Sequence, residues 1–511
     1  MPRELIVCKF GGTSVANARQ IIRTGEIIKS DPRRKIIVVS APGKRSQEDQ
    51  KVTDLLQIRY QKWCDGENPI PEYEMAKQRF LDLCHELNLD KTAIAFVMNH
   101  LHGIISPSVA TAGPTEDYFV SRGEYLNAFI VANYLGYEFC DAQDIIFFDS
   151  QDDSRNPKVD WALTDEMVGR ILLPNIKHGV VVPGFYGTLP GYGVKTFTRG
   201  GSDITGAVLA KSLKADLYEN WTDVQGLHTA DPRIIAGAQH VREVTYREMR
   251  ELAYSGAIVL HPDAIPPVME AGIPINIKNT NAPTDPGTMV VAQKKEQCGH
   301  ITGIASRSGF MAFNITKMGM NDQKGFIRSI TEIFEQQGIN IEHTPDGIDR
   351  FSVIVRVEDV LGKGESLLRE IEKVCEFNRE SAHDYLETSY GLVLVTVVSE
   401  NVEHTPGLAG RIFSACGNAG INIRMITQST DGVSIVFGVN EADERKTIMV
   451  LYNEFFNKIS LKHKWLVAIR KDGGEDAIIP FDYLAEAEKY QVEAVAQGYD
   501  AYLCEVKKEP S

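Results

Sequence analysis

The 511 residues carry 54 Lys and Arg against 69 Asp and Glu, a net charge of −15, with 43% hydrophobic and 24% charged residues. That apolar share fills the cores of roughly three or four domains and excludes a disordered or fibrous chain. The acidic balance argues against a general polyanion binder but leaves room for a local basic pocket that takes a phosphate.

At the N-terminus, MPRELIVCKFGG lacks the apolar stretch of a signal peptide, and no apolar run approaches the roughly 18–20 residues that span a bilayer. The eight cysteines lie far apart with no CxxC pair, so neither a zinc ribbon nor a disulfide framework is expected. The expected compartment is the reducing cytoplasm.

Residues 5–8 (LIVC) read as a strand that ends at Lys9-Phe10-Gly11-Gly12-Thr13-Ser14. Taken alone this is either a structural turn or a phosphate site, in which the glycines would let the main chain approach a ligand, N–H groups at a helix start would favour an anion, and a strand-end lysine would neutralise phosphate oxygens. It is not a Walker A loop, because the chain has no GxxxxGK[ST]. Ala16–Ser30 has helical apolar spacing, and residues 36–40 (IIVVS) form a second strand before Ala41-Pro42-Gly43-Lys44. Strand, helix, strand is the opening of a parallel sheet with loops at the strand ends.

Residues 51–140 read as mostly helical. They include Ser121-Arg122-Gly123-Glu124, in which Glu124 is either a grip for a cationic amine or part of a solvated helix start. Further strands are expected at 145–148, 180–182 and 275–278. Between them lies Lys195-Thr196-Phe197-Thr198-Arg199-Gly200-Gly201-Ser202-Asp203. Arg199 offers a bidentate grip on a carboxylate or phosphate. Asp203 opens a helix over Ile204–Leu213. A capping role suits it best, with metal binding or positioning of Lys9 as alternatives. The polar stretch Glu219 to Arg233 holds Thr222, Asp223 and Arg233, which read as lining a nucleotide site.

After residue 290 the pattern changes to an internal repeat. Gly325-Phe326 and Gly407-Leu408 each precede a helix, and these helices end in Gly338-Ile339-Asn340-Ile341 and Gly420-Ile421-Asn422-Ile423. Strand-like runs flank both: 301–315 and 351–357 in the first copy, 391–398 and 433–439 in the second. Each copy is a β-α-β module of roughly 80 residues, able to bury its sheet against the other or a second chain. Residues 471–511 are an acidic tail with helical pattern from Phe481 to Ala496 and no assigned chemistry.

KFGGTS at 9–14, SRGE at 121–124, FTRGGSD at 197–203, WTDVQGLHTADPR at 221–233, GAIVLHP at 256–262 and IPINIKNT at 273–280 occur in one order. Together they resemble the aspartate kinases, over residues 1 to about 470, and the doubled module resembles the two ACT domains of that family. The resemblance implies an α/β amino-acid kinase fold, with a mainly parallel central sheet flanked by helices, over 1–297. Two α+β, ferredoxin-like ACT domains would follow over 298–385 and 386–470, with the tail over 471–511.

It also implies transfer of the γ-phosphoryl of ATP to the side-chain carboxylate of L-aspartate. The product, 4-phospho-L-aspartate, is the first intermediate toward lysine, threonine and methionine. By the same resemblance Lys9 contacts the transferring phosphate, with Asp203 as its catalytic companion. Gly11, Gly12 and Ser14 form the cradle. Thr222, Asp223, His228, Arg233, Ile258 and Val259 belong to the nucleotide site. Thr53, Glu124, Arg199, Gly200, Gly201 and Ser202 hold aspartate, with Glu124 on its ammonium and Arg199 on a carboxylate. Magnesium would travel with ATP and take at most one protein carboxylate, such as Asp203, so no resident metal site is expected.

Two positions depart from the family pattern. His228 stands where a tyrosine often sits, and Ile258 where some members have lysine. Ala41-Pro42-Gly43-Lys44 resembles the APGK form of some members, which implies that Lys44 would add positive charge near the phosphates. Lys9 is expected at the surface, so that its loss stops turnover with little effect on folding.

ACT domains imply an amino-acid effector and a homodimer or higher homo-oligomer. Met320, Gln323, Gly325, Phe326, Ile341, Glu342 and Asp346 would form the effector site, with the two acids beside a Met/Phe wall suiting lysine first and threonine second. The alternatives are another amino-acid kinase, such as a glutamate kinase, or a non-catalytic amino-acid sensor. A fused homoserine dehydrogenase is opposed by the short remainder and the lack of a GxGxxG fingerprint. Nucleic acid and membrane partners have no supporting pattern.

Overall fold

The computed structural model describes residues 5–105, 115–150, 157–198, 200–257, 259–295, 301–377, 383–428, 432–456, 465–470, 477–481, 484–496 and 500–505. The chain divides into two units, Met1–Thr405 with Arg424–Glu441, and Pro406–Ile423 with Ala442–Ser511. None of the helices among the described residues is long and apolar enough to cross a membrane.

The strands of the first unit, in chain order, are β1 (Ile6–Phe10), β2 (Arg34–Val39), β3 (Glu138–Phe139), β4 (Val180–Pro183), β5 (Tyr186–Leu189), β6 (Gly193–Thr196), β7 (Leu217–Thr222), β8 (Glu243–Thr245), β9 (Ile275–Asn279), β10 (Thr288–Val291), β11 (Gly303–Thr316), β12 (Arg350–Arg356), β13 (Tyr385–Val398), β14 (Met425–Gln428) and β15 (Ser434–Asn440). Its helices are α1 (Ala18–Lys29), α2 (Val52–Cys64), α3 (Ile70–Glu86), α4 (Lys91–Ile105), α5 (Glu116–Leu135), α6 (Trp161–Asn175), α7 (Gly201–Ser212), α8 (Tyr246–Tyr254), α9 (Ile265–Glu270), α10 (Phe326–Gln336), α11 (Val357–Val360) and α12 (Gly364–Cys375).

Eight strands form one sheet in the order β3-β4-β2-β1-β7-β9-β10-β8. All its pairs are parallel except β9 with β10. β1 is central and buried along its whole length, as a strand covered by helices on both faces requires. Its side chains alternate between faces, so Cys8 and Phe10 point one way and Lys9 the other. α1 starts where the Asn17 side chain accepts from the Gln20 N–H, and it buries Ile21, Ile27 and Ile28. α5 starts at a Thr115 cap, ends at Gly136 in the left-handed region (φ +69°), and is buried on nearly every side.

The helical reading of 51–140 holds for α2 to α5. The run at 145–148 is not a strand of the sheet. Phe147 and Phe148 make only isolated bridges, to Thr188 and Val159, after a short 3-10 turn at Ala142–Asp144. The apolar residues there are buried because the segment folds under the β5–β6 hairpin, where Thr188 N–H donates to Ile146 O.

The repeat resolves into a shared antiparallel sheet, β12-β11-β13-β15-β14. β11 and β13 are the corresponding first strands of the two copies, 14 residues each, and they pair with each other. The first copy has its own core of Phe313, Phe326, Ile330, Phe334, Phe351, Leu367 and neighbours.

The second unit contains α13 (Leu408–Asn418), α14 (Glu444–Phe455), β16 (Trp465–Arg470), β17 (Ala477–Phe481), α15 (Leu484–Ala496) and β18 (Asp500–Glu505). Arg411 Nε donates to Glu454 Oε1 at 2.8 Å, tying α13 to α14. β17-β16-β18 form an antiparallel sheet, so the tail is a folded element whose first strand starts at Trp465.

Candidate active site

The parallel strands β1, β2, β4, β7 and β9 end side by side, and in such sheets ligands bind at these carboxyl ends. Lys9 sits near the end of β1, directly opposite Asn220 on β7. Its Nζ lies 2.7 Å from Asp203 Oδ1, and Asn220 Nδ2 donates to the same oxygen at 3.0 Å. The His261 N–H donates to Asp203 Oδ2 at 2.9 Å. Burial pushes the Asp203 carboxyl up, but Lys9, His261 and Asn220 outweigh it and hold the group below its ordinary value.

Two expectations are corrected here. Asp203 is not a helix cap: the N-cap of α7 is Gly200, and the carboxylate instead holds Lys9. Lys9 is not at the surface, because the ion pair draws it inside to 8% exposure.

Beyond Lys9 the chain turns through Gly11 and Gly12. The Gly11 N–H donates to Trp221 O at 3.0 Å, and Gly43 N–H to Gly12 O at 2.8 Å. A Cβ on Gly43 would come within 2.6 Å of Gly12 C. The KFGG turn and the Ala41-Pro42-Gly43 turn therefore meet backbone to backbone, and only glycine permits it. Ser14 Oγ and Thr280 Oγ1 lie 2.7 Å apart, joining this turn to the end of β9. Ser202 is buried against Gly184, where a Cβ would meet its Oγ at 2.6 Å. Gly200 has φ +92°, and a Cβ there would stand 2.7 Å from the His261 ring.

Glu124 lies mid-way along α5, not at a solvated helix start. It is 5% exposed, its Oε2 has no partner, and it accepts from the Ala41 N–H. Burial pushes its carboxyl up to about 8. An unpaired buried carboxylate is costly, so this position suits a ligand that brings a cation. Three residues on, Asn127 Nδ2 donates to Ser40 O at 2.7 Å, fixing α5 to the end of β2. Thr53 is half-buried in the first turn of α2.

The structure thus gathers Lys9, Gly11, Gly12, Ser14, Gly200, Gly201, Ser202 and Asp203, with Glu124 beyond Ala41. Thr222 ends β7 and donates to Asp223 Oδ1 at 3.2 Å. His228 pairs with His240, ring centroids 5.7 Å apart; burial, then the neighbouring His240, push it below its ordinary value. Arg233 does not reach the Lys9 cluster. Its guanidinium is exposed and turned back onto Asp231 at 2.7 Å, a two-residue contact that needs no longer reach. Val259 is half-buried, with its N–H on Ala257 O. Arg199 and Ile258 lie outside the described residues. A separate group of three or more His, Cys, Asp or Glu side chains able to hold a metal is absent among the described residues.

Asn220 and His261 escaped the sequence reading as site residues. Asn220 lies in a polar stretch whose other members drew the nucleotide reading, and His261 acts through its main chain. The alternation of β7, which sets Asn220 opposite Lys9 and Glu219 on the other face, was the available signal.

In the first repeat copy, Met320 and Phe326 are 4% and 3% exposed, so they belong to the module's core and do not form an open wall. Ile341 packs against that core, and Gly325 caps α10 with φ +83°. Gln323 Oε1 accepts from Lys317 at 3.0 Å. Glu342 is not a free acid: Arg356 Nε donates to Oε1 at 3.0 Å and Tyr254 OH to Oε2 at 2.7 Å. Asp346 is exposed.

The model of the amino acid kinase family matches residues 4–279, and an ACT domain model matches residues 395–455. Aspartokinase 3 of Bacillus subtilis is 37% identical over 463 residues, 88% of this chain and 98% of that protein. Chloroplastic aspartokinase 1 of Arabidopsis thaliana is 31% identical over 88% of this chain and 80% of its own length. The crystal structure of Clostridium acetobutylicum aspartate kinase is 38% identical and covers 88% of this chain and all of that one, with a TM-score of 0.73.

Proposed function

From its membership of the aspartate kinases, within the amino acid kinase family, this chain takes its activity on aspartate in amino-acid biosynthesis, and we propose how its residues perform it. ATP, brought as its magnesium complex, gives its γ-phosphoryl to the side-chain carboxylate of L-aspartate. The products are ADP and 4-phospho-L-aspartate. The magnesium ion would be carried mainly by the phosphates, with at most the Asp203 carboxylate added.

The nucleophile is already an anion near neutral pH, so no general base is required. One carboxylate oxygen bonds to the γ-phosphorus as the bond to the β,γ-bridging oxygen breaks, and ADP leaves with that electron pair. Charge neutralisation and alignment remain as the protein's work. Lys9 supplies the positive charge at the transferring phosphoryl. Asp203 orients Lys9, and its own charge stays compensated by Asn220 and the His261 N–H when Lys9 turns to phosphate oxygens. Gly11, Gly12 and Ser14 present the main chain to the phosphates. Glu124 takes the substrate ammonium. Arg199, Gly200, Gly201, Ser202 and Thr53 hold the rest of aspartate. Thr222, Asp223, His228, Arg233, Ile258 and Val259 border the nucleotide, Arg233 after leaving Asp231.

The observation that carries this reading is the buried Lys9–Asp203 pair beside a turn where two loops touch through glycine alone. A coupled ATP assay with aspartate and glutamate tests it. Turnover with aspartate and none with glutamate is expected; the reverse overturns it.

We further propose a catalytic domain over 1–297, ACT domains over 298–385 and 386–470 that pair in a dimer, and a cytoplasmic protein. Feedback inhibition by lysine, with threonine as second choice, would act at the loop from Met320 to Phe326. The exposed Asp346 carboxylate is the acid left to meet an amino-acid ammonium there. Inhibition by neither amino acid, alone or together, overturns the effector assignment.

A further inference from the structure

Arg79 is 4% exposed on α3, in a stretch to which the sequence motifs assign nothing. A guanidinium buried this deeply costs several kcal/mol unless its N–H groups are met. Burial, followed by the charge of Arg45, pulls it below its ordinary value, so it is retained against a cost. Its partners explain why.

Arg79 Nη1 donates to Asp49 Oδ2 and to Gln50 O, each at 3.0 Å. Nη2 donates to Gly43 O at 2.7 Å and to Ala16 O at 3.3 Å. Three of the four acceptors are main-chain carbonyls, and they come from two separate segments. Ala16 follows the 3-10 turn Gly12–Val15, and Gly43 belongs to the loop after β2. These are the two segments that touch through Gly12 and Gly43. No side chain at either glycine can hold that contact, so its geometry has to be fixed from outside.

We propose that Arg79 is a positioning residue for the phosphate cradle, its planar fork tying the Gly11–Ala16 turn to the Gly43 loop so that their main-chain groups keep the orientation that ATP requires. The inference rests on the reading of that turn as the ATP phosphate site. A lysine at 79 keeps the charge but offers three donors from a single nitrogen, and so cannot reproduce the four bonds that the two Nη atoms spread over both segments. Arg79 touches no reacting atom. The Gly43 loop that it fixes also reaches the aspartate side, where the Ala41 N–H meets Glu124 and Gln50 leads into the turn of Thr53. Only the ATP side rests on both segments that Arg79 ties together, so its loss should fall more heavily on ATP than on aspartate.

The test uses the full chain with Arg79→Lys and Asp49→Asn, varying ATP and aspartate separately. For Arg79→Lys the KM for ATP should rise about ten-fold or more, as expected for a cradle displaced by a fraction of an ångström, with a clearly smaller rise, within about three-fold, in the KM for aspartate. Asp49→Asn leaves the loop carbonyls bonded, so its KM for ATP should rise no more than about three-fold. Hydrogen exchange should quicken at residues 11–16 and 42–46 in Arg79→Lys and stay unchanged in β4. Equal rises in both KM values, no rise in either, or exchange that quickens everywhere overturns the positioning role. A Lys9→Met protein that still binds ATP as the parent does would instead sink the cradle reading itself, whatever Arg79 does.

Discussion

Lys9 Nζ and Asp203 Oδ1 form an ion pair of 2.7 Å whose side chains are 10% and 12% exposed, which makes the proposed catalytic lysine a structural element as well. Lys9→Met should lower turnover by about a thousand-fold or more, because the charge at the transferring phosphoryl is gone. It should also cost about 3 kcal/mol of stability, because Asp203 is left buried without its cation. Lys9→Met with Asp203→Asn should recover most of that stability and none of the activity. Urea unfolding beside the coupled assay reads both; a single variant as stable as the parent would contradict the pairing.

The cost of losing Lys9 was hidden in the sequence, where a strand-end lysine beside glycines reads as surface. What was legible is instructive. The Ala18–Lys29 helix, the parallel strands at Ile6 and Arg34, and the 82-residue repeat follow from local pattern, and local pattern is what a sequence displays. Asp203 read as a cap because capping is local; the groups that claim it, Lys9, Asn220 and His261 N–H, come from three distant segments. Likewise the run at 145–148 is apolar because the β5–β6 hairpin covers it, and long-range burial imitates a strand. Glu342 read as a free acid because Arg356 and Tyr254 are 14 and 88 residues away.

Glu124 sets a pH dependence. Its carboxyl is pushed from 4.5 to about 8 by burial. Between those values the folded chain holds a proton that the unfolded chain has lost, so this group makes stability fall as pH rises from about 4.5 to 8. An aspartate ammonium beside it favours the ionised form, so binding at pH 7 should release up to one proton. Calorimetry in buffers of different ionisation enthalpy measures that number. Glu124→Gln should abolish the release, flatten stability over the same window and raise the KM for aspartate about ten-fold or more. Equal proton release from both proteins would remove Glu124 from the ammonium site.

Gly200 tests the loop that carries His261 to Asp203. With φ +92° and a Cβ placed 2.7 Å from the His261 ring, Gly200→Ala is strained in backbone and in space. The loop must shift, and with it the His261 N–H bond that helps hold Asp203. A loss of about 1–3 kcal/mol and at least a ten-fold lower kcat is expected. A crystal structure of the variant with the His261–Asp203 bond intact and normal kcat would show that the bond does not depend on this loop.

The contact between Tyr254 and Glu342 gives the last test, because it is a direct link from the kinase domain to the repeat. In the first turn of α8, the Glu248 carboxylate meets Lys294 at 2.8 Å and Thr302. Glu251 accepts from Ser434 at 2.9 Å, and Tyr254 closes the helix with its hydroxyl on Glu342. Seven residues on, His261 holds Asp203. One short helix thus joins the sheet of the repeat to the carboxylate that orients Lys9. An effector acts only by binding two states unequally, and under the proposed feedback inhibition α8 is the element through which such a difference would reach the site. Tyr254→Phe removes one hydroxyl, touches no residue of the active site, and should leave kcat and both KM values within about two-fold. The concentration of lysine for half inhibition should rise about five-fold or more, the size of a typical coupling energy. Unchanged inhibition in a protein that is inhibited by lysine would exclude this hydroxyl from the route and direct attention to the Glu251–Ser434 contact.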